Sequence, residues 1–374
     1  VLVEADTVEL GGSDELAVSL DGGGRPTVAL GRGTAALAVR VGDSILLRVG
    51  RGTLGPAATL EARARASDGL VRVAGREYRG RVTLSVAGGA ILAVNHLAIE
   101  EYLVGVVTAE MGRRAVGEEA ALEAQAIASR TYALAALERG RGRPYDLRAT
   151  VADQAYLGVE RETEMGRAAV AATRGMVLTV GGLPIEAFFH STCGGRTAAG
   201  GEVFQNGHRS YLRAVSDLGP DGASWCSVSP RFRWRETWTA DQLRRVLQQS
   251  LTVYGVSPEQ VTDVLDIVAA SHTSSGRVAA LRIRIPRRTV TVAGSNAVRA
   301  VLGPEPGSAL RSAVFDLRVT RNAGRVTLVE ADGRGAGHGV GLCQWGAVGR
   351  ARAGQGAARI LTAYFPGAVL ERRW

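Results

Sequence analysis

The chain of 374 residues is 46% hydrophobic and 22% charged, the ordinary balance of a folded protein, which argues against a disordered polymer and an integral membrane protein alike. Its formal charge of +9 is carried by arginine, since the sequence contains no lysine, and with 49 glycines this fits a genome rich in guanine and cytosine. A basic surface suits an anionic polymer, either nucleic acid or cell wall. However, the arginines are scattered (Arg209, Arg213, Arg231, Arg233, Arg235), aromatic residues make up 5%, and no RRM, KH or zinc-finger pattern occurs, so nucleic acid is not an expected partner.

From the N-terminus, VLVEADTVEL reads as a strand and lacks the basic start and apolar core of a signal peptide, so any export signal is expected to have been removed or to lie outside this chain. Short β-prone segments continue to about residue 90, among them Ser44–Val49, Leu70–Val73 and Arg81–Val86. They are separated by glycine turns at Asp21–Gly24 and Gly88–Gly89. A helical stretch from about Glu100 to Glu138 is interrupted near Gly112–Gly117 and stopped by the Gly- and Pro-rich run Arg139–Pro144. A third helix is predicted over Glu162–Ala172, then a strand Met176–Val180, a Gly181–Gly182 turn and a return strand from Ile185 to His190. Further on, Ala240–Leu251 is amphipathic, Val278–Val292 reads as paired strands around Pro286, and a glycine-rich loop ending at Gly346 opens a helix over Ala347–Arg352. No run of about 18 apolar residues occurs, and no repeat of fixed period is evident. The length suggests two or three domains. The pattern predicts an α+β protein, with an N-terminal β-rich module over 1–88 and a region over 89–374 that mixes helices and strands and carries a β-rich insertion at about 255–330.

Three clusters carry candidate chemistry. Glu110 follows the apolar run Leu103, Val104, Val106, Val107, where a carboxylate is costly unless paired and where a raised pKa would suit a general acid. On the next helix Gln125 and Tyr132 lie near one face and Arg130 is displaced from it; Gln125 and Arg130 read equally as bridges between helices. The second cluster is His190-Ser-Thr-Cys-Gly-Gly195, which suits a thiol nucleophile with its base, a pair of metal ligands, or a structural turn. The third is Gly337-His-Gly-Val-Gly341 with Cys343 and Gln344, which has neither the Lys-Ser/Thr ending of a P-loop nor the spacing of a dinucleotide fingerprint. Polar His338 and Gln344 among those glycines suit hydrogen bonds to sugar hydroxyls.

Two of the three cysteines, Cys193 and Cys343, sit in these loops; the third is Cys226. If the loops converge, three thiolates with His190 or His338 complete a tetrahedral structural zinc site. The alternatives are a Cys193–Cys226 disulfide that leaves Cys343 free, and three unrelated thiols.

The segments EYLVGVV, AEM and EAQAIASRTY within Asn95–Tyr132, FFHSTCGGRT at Phe188–Thr197, YLRAV at Tyr211, SGRV at Ser275, LRSAVF at Leu310 and GHGVGLCQWGA at Gly337 together resemble the SpoIID/LytB family. They occur in the family's order over roughly residues 75 to 374. That family includes lytic transglycosylases of peptidoglycan glycan strands and proteins described as enhancers of a cell-wall amidase. The resemblance implies that Glu110, before Met111, is the catalytic glutamate and that Arg130, before Thr131-Tyr132, belongs to the catalytic set. It places His190, Ser191, His338 and Gln344 along a substrate groove, and Gln125 with Arg130 is expected to position Glu110 or bind the sugar. Some family members bind zinc near the site. Where the family commonly has proline after Glu-Met, this chain has Gly112.

The resemblance further implies an extracytoplasmic enzyme in cell-wall remodelling, as in sporulation, that cleaves the MurNAc–GlcNAc bond and leaves 1,6-anhydroMurNAc ends. Such a reaction needs one Glu as acid and then base, and no cofactor. The rival expectations are a non-catalytic wall-binding partner of an amidase, and a thiol hydrolase built on Cys193 and His190.

Overall fold

In the computed structural model, which describes residues 1–22 and 28–374, the glycine-punctuated opening stretch folds into two six-stranded antiparallel sheets. One runs Val3–Ala5, Ala90–His96, Arg81–Ala87, Thr59–Ala64, Leu16–Leu20, Val28–Leu30. The other runs Arg76–Tyr78, Val71–Val73, Thr7–Gly12, Ala36–Val41, Ser44–Val49, Gly52–Ala57. Alternating side chains supply the shared core: in Arg81–Ala87, Val82 and Leu84 point inward and meet Leu10, Leu16, Ile45 and Leu60. The opening segment, expected as one strand, is two, because the chain changes sheets at Asp6, whose carboxylate accepts from Arg40 Nε at 2.8 Å. The expected boundary at 88 falls in the turn between two paired strands, Ala87 opposite Ala90, so the β-rich part runs on to His96. Of the turn expected at Asp21–Gly24, Gly23 and Gly24 lie outside the described residues.

The interrupted helical stretch becomes α1 (Ile99–Met111) and α2 (Glu119–Arg139), followed by α3 (Glu164–Ala172). Helix α1 starts with Glu100 and Glu101, which favour the positive end of its dipole. It stops at Gly112, whose φ of 67° a glycine adopts without strain. Small side chains let α2 be buried around most of its circumference, including Ala121, Ala124, Ala128 and Ala133. Val106 carries α1 into the β core, which Tyr156 also joins.

The approach is close at Gly105, where a Cβ would lie 2.7 Å from the Tyr156 ring and 2.8 Å from the Gly158 carbonyl. Gly105→Ala is therefore expected to destabilise by about 1–3 kcal/mol, since overpacking outweighs a helix-propensity gain of at most about 1 kcal/mol. A thermal melt that rose on this substitution would contradict the packing.

The strand Met176–Val180 is as expected, but the return strand to His190 is not. Only Leu183–Pro184 pairs back, and proline has no amide to continue the ladder. Phe189–His190 pairs instead, in parallel, with Leu342–Cys343. The chain forms two compact units, Val1–Glu186 with Glu371–Trp374, and Ala187–Leu370.

In the second unit, Arg325–Arg334 lies between Arg233–Thr239 and Phe315–Asn322, and Asp266–His272, Val278–Ile285 and Arg288–Ala293 make a second antiparallel sheet. The paired strands expected around Pro286 are present, with Ile285 opposite Arg288. The β-rich segment starts earlier than the expected 255, at Arg233, because that strand is the partner of Arg325–Arg334. Helices α4 (Ala240–Ser250) and α5 (Ser295–Val301) close a core of Trp238, Leu243, Leu247, Leu281, Ile283 and Val329. Thr239 and Gln242 form a capping box on α4. Helices α6 (Gln344–Arg352) and α7 (Ala357–Tyr364) complete the unit, α6 beginning three residues before the expected Ala347. The fold is α+β, with helices beside antiparallel sheets. Among the described residues no helix is long and apolar enough to cross a membrane.

Candidate functional site

Glu110 is the penultimate residue of α1 and is half-buried. Its Oε1 accepts the Ala155 N–H at 2.6 Å, a short bond that fixes the side chain. The segment that supplies this amide is tied down residue by residue. Asp153 Oδ1 accepts from the Tyr132 hydroxyl at 2.9 Å, and Gln154 Oε1 accepts from the Tyr102 hydroxyl at 3.0 Å. Gln154 Nε2 donates to the Ser129 carbonyl at 3.1 Å, and the Tyr156 hydroxyl donates to Asn95 at 3.1 Å. Burial, with the nearby charges of Asp153 and Glu110, pushes the Tyr102 hydroxyl well above its ordinary pKa and keeps it a neutral donor. Thr108, Ala109, Gly112, Arg113 and Leu157, flanking Glu110 and Tyr156 in sequence, line a cavity of about 510 Å³. Sequence reasoning missed Asp153–Tyr156, whose only signal is a polar pair, Asp153-Gln154, before an aromatic residue.

Arg130 is fully buried and directs its donors into the protein frame. Its Nε and NH2 groups clasp the two oxygens of Glu100 at 3.0 and 2.7 Å, and NH1 donates to the Met176 carbonyl at 3.1 Å. Expected in the catalytic set, it is placed as a buried tie between α2, the start of α1 and the strand that follows α3. Gln125, expected to position Glu110 or bind the sugar, has no exposed surface and donates to Ser129 Oγ at 3.0 Å. Neither can meet a glycan in this conformation, because burial leaves no surface for contact.

In the second unit the two glycine loops do converge. Phe189 and His190 pair with Leu342 and Cys343, Thr192 with Ala336, and Ala198 with Val340. His338 accepts the Val340 N–H at Nδ1 (3.1 Å) and donates from Nε2 to the Phe189 carbonyl (2.9 Å), which fixes the neutral tautomer. His190, 4% exposed, donates from Nδ1 to the Val340 carbonyl at 3.1 Å and packs against the His338 ring at 5.5 Å between centroids. The two histidines, expected to contact substrate, brace one loop on the other. Ser191 is half-buried, and Gln344 is buried at the first residue of α6.

Burial holds His338 down to about 4, and burial with the neighbouring His338 and Arg277 lowers His190 as well. Above the unfolded value of about 6.5 both states are neutral and stability is complete. As pH falls, the unfolded chain takes up protons that the folded unit does not, so stability is lost down to the folded value. For His338 the loss is at most about 3 kcal/mol. Melts from about pH 7 to about 4.5 should show a falling transition that is shallower in His338→Gln; an unchanged slope would remove the histidine from the account.

The three cysteines come together around Asp217, which sequence reasoning missed because nothing near it in the chain marks it as a partner. Cys193 Sγ lies 3.5 Å from Cys226 Sγ and 3.2 Å from Asp217 Oδ2. Cys193 is buried with its sulfur against Cys226 and Asp217, and His190 spends Nδ1 on the Val340 carbonyl, so the two do not form the exposed nucleophile and base that a thiol hydrolase needs. The fourth member of the cluster is Asp217, in place of the expected His190 or His338. The cysteines are free thiols in the structure.

A family model described as Stage II sporulation protein matches residues 87–180, the stretch that holds Glu110, Gln125 and Arg130. The stage II sporulation protein D of Bacillus subtilis (strain 168) is 30% identical over 305 residues, covering 78% of this chain and 79% of that protein. This chain belongs to the SpoIID/LytB family. An uncharacterized protein of Brachyspira hyodysenteriae (strain ATCC 49526 / WA1) is 31% identical over 294 residues, covering 78% of this chain and 72% of the relative. The amidase enhancer of Bacillus subtilis is 27% identical over 278 residues, covering 67% of this chain and 38% of that longer protein. A second model, described as Domain of unknown function (DUF8618), matches residues 224–341, which hold the β-rich segment of the SpoIID/LytB chain's second unit.

Proposed function

We propose that this SpoIID/LytB chain is an extracytoplasmic lytic transglycosylase acting on the glycan strands of peptidoglycan, with Glu110 as its single acid and base. The observation that carries the reading is the placement of Glu110. It is half-buried at the end of a helix, held through Oε1 by the Ala155 amide, and flanked by residues that line a cavity.

The step balances with one carboxyl group. Protonated Glu110 gives its proton to the oxygen of the MurNAc–GlcNAc bond as that bond breaks. The resulting carboxylate then takes the proton of the muramic 6-hydroxyl while that oxygen closes on the anomeric carbon. A 1,6-anhydro end forms, no water is consumed and Glu110 is protonated again. A two-carboxylate glycosidase would instead need a second acid to act as nucleophile or to activate water. Holding the 6-hydroxyl against its own anomeric carbon supplies the advantage of an intramolecular reaction. Arg130 and Gln125 act from below the surface by fixing the helices that present Glu110.

Mass spectrometry of purified glycan strands after digestion tests the reaction: anhydro ends support it, and ordinary reducing ends contradict it. The family also holds a relative named amidase enhancer, which keeps a second reading in view, a wall-binding partner of an amidase with no turnover of its own. Stimulation of an amidase by a chain that leaves no anhydro ends would favour that reading.

A further inference from the structure

Four residues far apart in sequence place one donor atom each within 4.8 Å of all the others: the sulfurs of Cys193, Cys226 and Cys343, and a carboxylate oxygen of Asp217. We propose that they form a closed structural zinc site that locks the two glycine loops to the start of α6. The four side chains are buried, at 1%, 0%, 0% and 0% exposure for Cys193, Asp217, Cys226 and Cys343. In a tetrahedral site with zinc–sulfur distances of about 2.3 Å and a zinc–oxygen distance of about 2.0 Å, two sulfurs stand about 3.8 Å apart and a sulfur and an oxygen about 3.5 Å apart. The structure has 3.5 Å between the sulfurs of Cys193 and Cys226, and 3.2 Å from Cys193 Sγ to Asp217 Oδ2. These two pairs are within a few tenths of an ångström of the coordinated distances, and the remaining pairs of donor atoms lie within 4.8 Å of one another. Three soft thiolates with one carboxylate are a donor set suited to zinc, and four protein ligands leave no open position for chemistry.

The surroundings are those that a metal centre uses to aim its ligands. The Tyr364 hydroxyl donates to Asp217 Oδ1 at 2.6 Å, which occupies the outer oxygen and turns Oδ2 toward the thiols. Backbone amides point at the sulfurs: Cys193 N to Cys343 Sγ at 3.2 Å, Gly346 N to Cys343 Sγ at 3.3 Å, and Gly195 N to Cys193 Sγ at 3.4 Å. Zinc with three thiolates and a carboxylate carries two net negative charges. Two arginines are in place to balance them: Arg350, 3.5 Å from Asp217 Oδ1, and Arg277, buried and donating to the Cys193 carbonyl at 3.4 Å.

Glycine makes the room. A Cβ at Gly346 would lie 2.7 Å from Asp217 Oδ2 and 2.0 Å from the Tyr364 hydroxyl, and a Cβ at Gly349 would meet the Trp225 carbonyl at 2.0 Å beside Cys226. The zinc would tie Cys193 in one loop, Cys343 in the other and Cys226 in the Trp225–Val228 turn into one frame, and so hold Ser191 and Gln344 in place.

The test is metal content of the purified full chain, read independently of any glycan cleavage. About one zinc per chain is expected by elemental analysis and by native mass spectrometry. The cobalt-loaded protein should show thiolate-to-metal charge transfer and a tetrahedral ligand-field spectrum. Tyr364→Phe, which keeps all four ligands, should weaken zinc binding by about 10–100-fold, and Cys226→Ser should weaken it further and diminish the charge-transfer band. Should Cys226→Ser fail to fold, the wild-type readings alone still decide. A wild-type chain prepared with zinc present that carries no stoichiometric metal overturns the proposal. So does a Cys193–Cys226 disulfide found by peptide mapping. A metal-free chain that still leaves anhydro ends would sink the zinc site alone, and a zinc-loaded chain that leaves none would sink the transglycosylase reading alone.

Discussion

Glu110→Gln should reduce the release of anhydro-ended fragments from purified glycan strands by about 10²–10⁴-fold, the usual contribution of a positioned acid and base. The amide has the shape of the carboxyl group, and its oxygen can still accept the Ala155 N–H that holds Glu110 at 2.6 Å. The substitution should therefore leave the melting temperature within a few degrees of wild type while it removes the transferable proton. Glu160 and Glu162 line the same cavity but are held in ion pairs with Arg76 and Arg161 and with Arg79 and Arg167, so no partial rescue is expected from them. Wild-type rates in the variant would end the assignment of Glu110. Equal stimulation of a cell-wall amidase by wild type and variant, with no anhydro ends from either, would put the non-catalytic reading in its place.

Arg130→Met should cost about 3–5 kcal/mol of stability, the range for leaving one partner of a buried ion pair uncompensated. In this chain the stranded partner is Glu100, whose two oxygens accept from Arg130 at 3.0 and 2.7 Å, while the Met176 carbonyl loses its donor at 3.1 Å. For a unit of this size the change corresponds to a fall in Tm of about 6–20 °C. Glu100→Leu in the same chain should recover much of the loss, because two apolar side chains need no mutual charge compensation. Calorimetry of the single and double variants checks both statements. If Arg130→Met melted like wild type and yet lost turnover, the arginine would act on the reaction itself and the framing role would be set aside.

The elements best read in advance are those whose signal is local. Met176–Val180 is a short apolar run between a helix and a Gly-Gly turn, and α4 follows a Thr-x-x-Gln capping box with an apolar stripe. Gly112 marks the end of α1 within one residue of its place. Where the reading failed, the deciding partner was remote. The segment from Ile185 to His190 looks like a return strand, but Phe189–His190 finds its hydrogen bonds on Leu342–Cys343. The opening ten residues look like one strand and divide because their two halves pair with different sheets.

The candidate site follows the same rule. Glu110 stood out because a carboxylate in the run of Leu103, Val104, Val106 and Val107 conflicts with its neighbours, and that conflict is written in consecutive residues. Its support from Ala155, the clasp of Arg130 on Glu100 and the gathering of Asp217 with three cysteines are not, since they join positions up to 150 residues apart. Periodicity, turn residues and caps act over a few bonds, so the main helices, several of the strands, the α+β class and the acid worth testing were legible in the chain. Which side chains are spent on the frame and which face a ligand depends on burial and on donors brought in by distant segments. Folding therefore assigned Arg130, Gln125 and the two histidines to bracing, and chose Asp217 as the fourth member of the cysteine cluster.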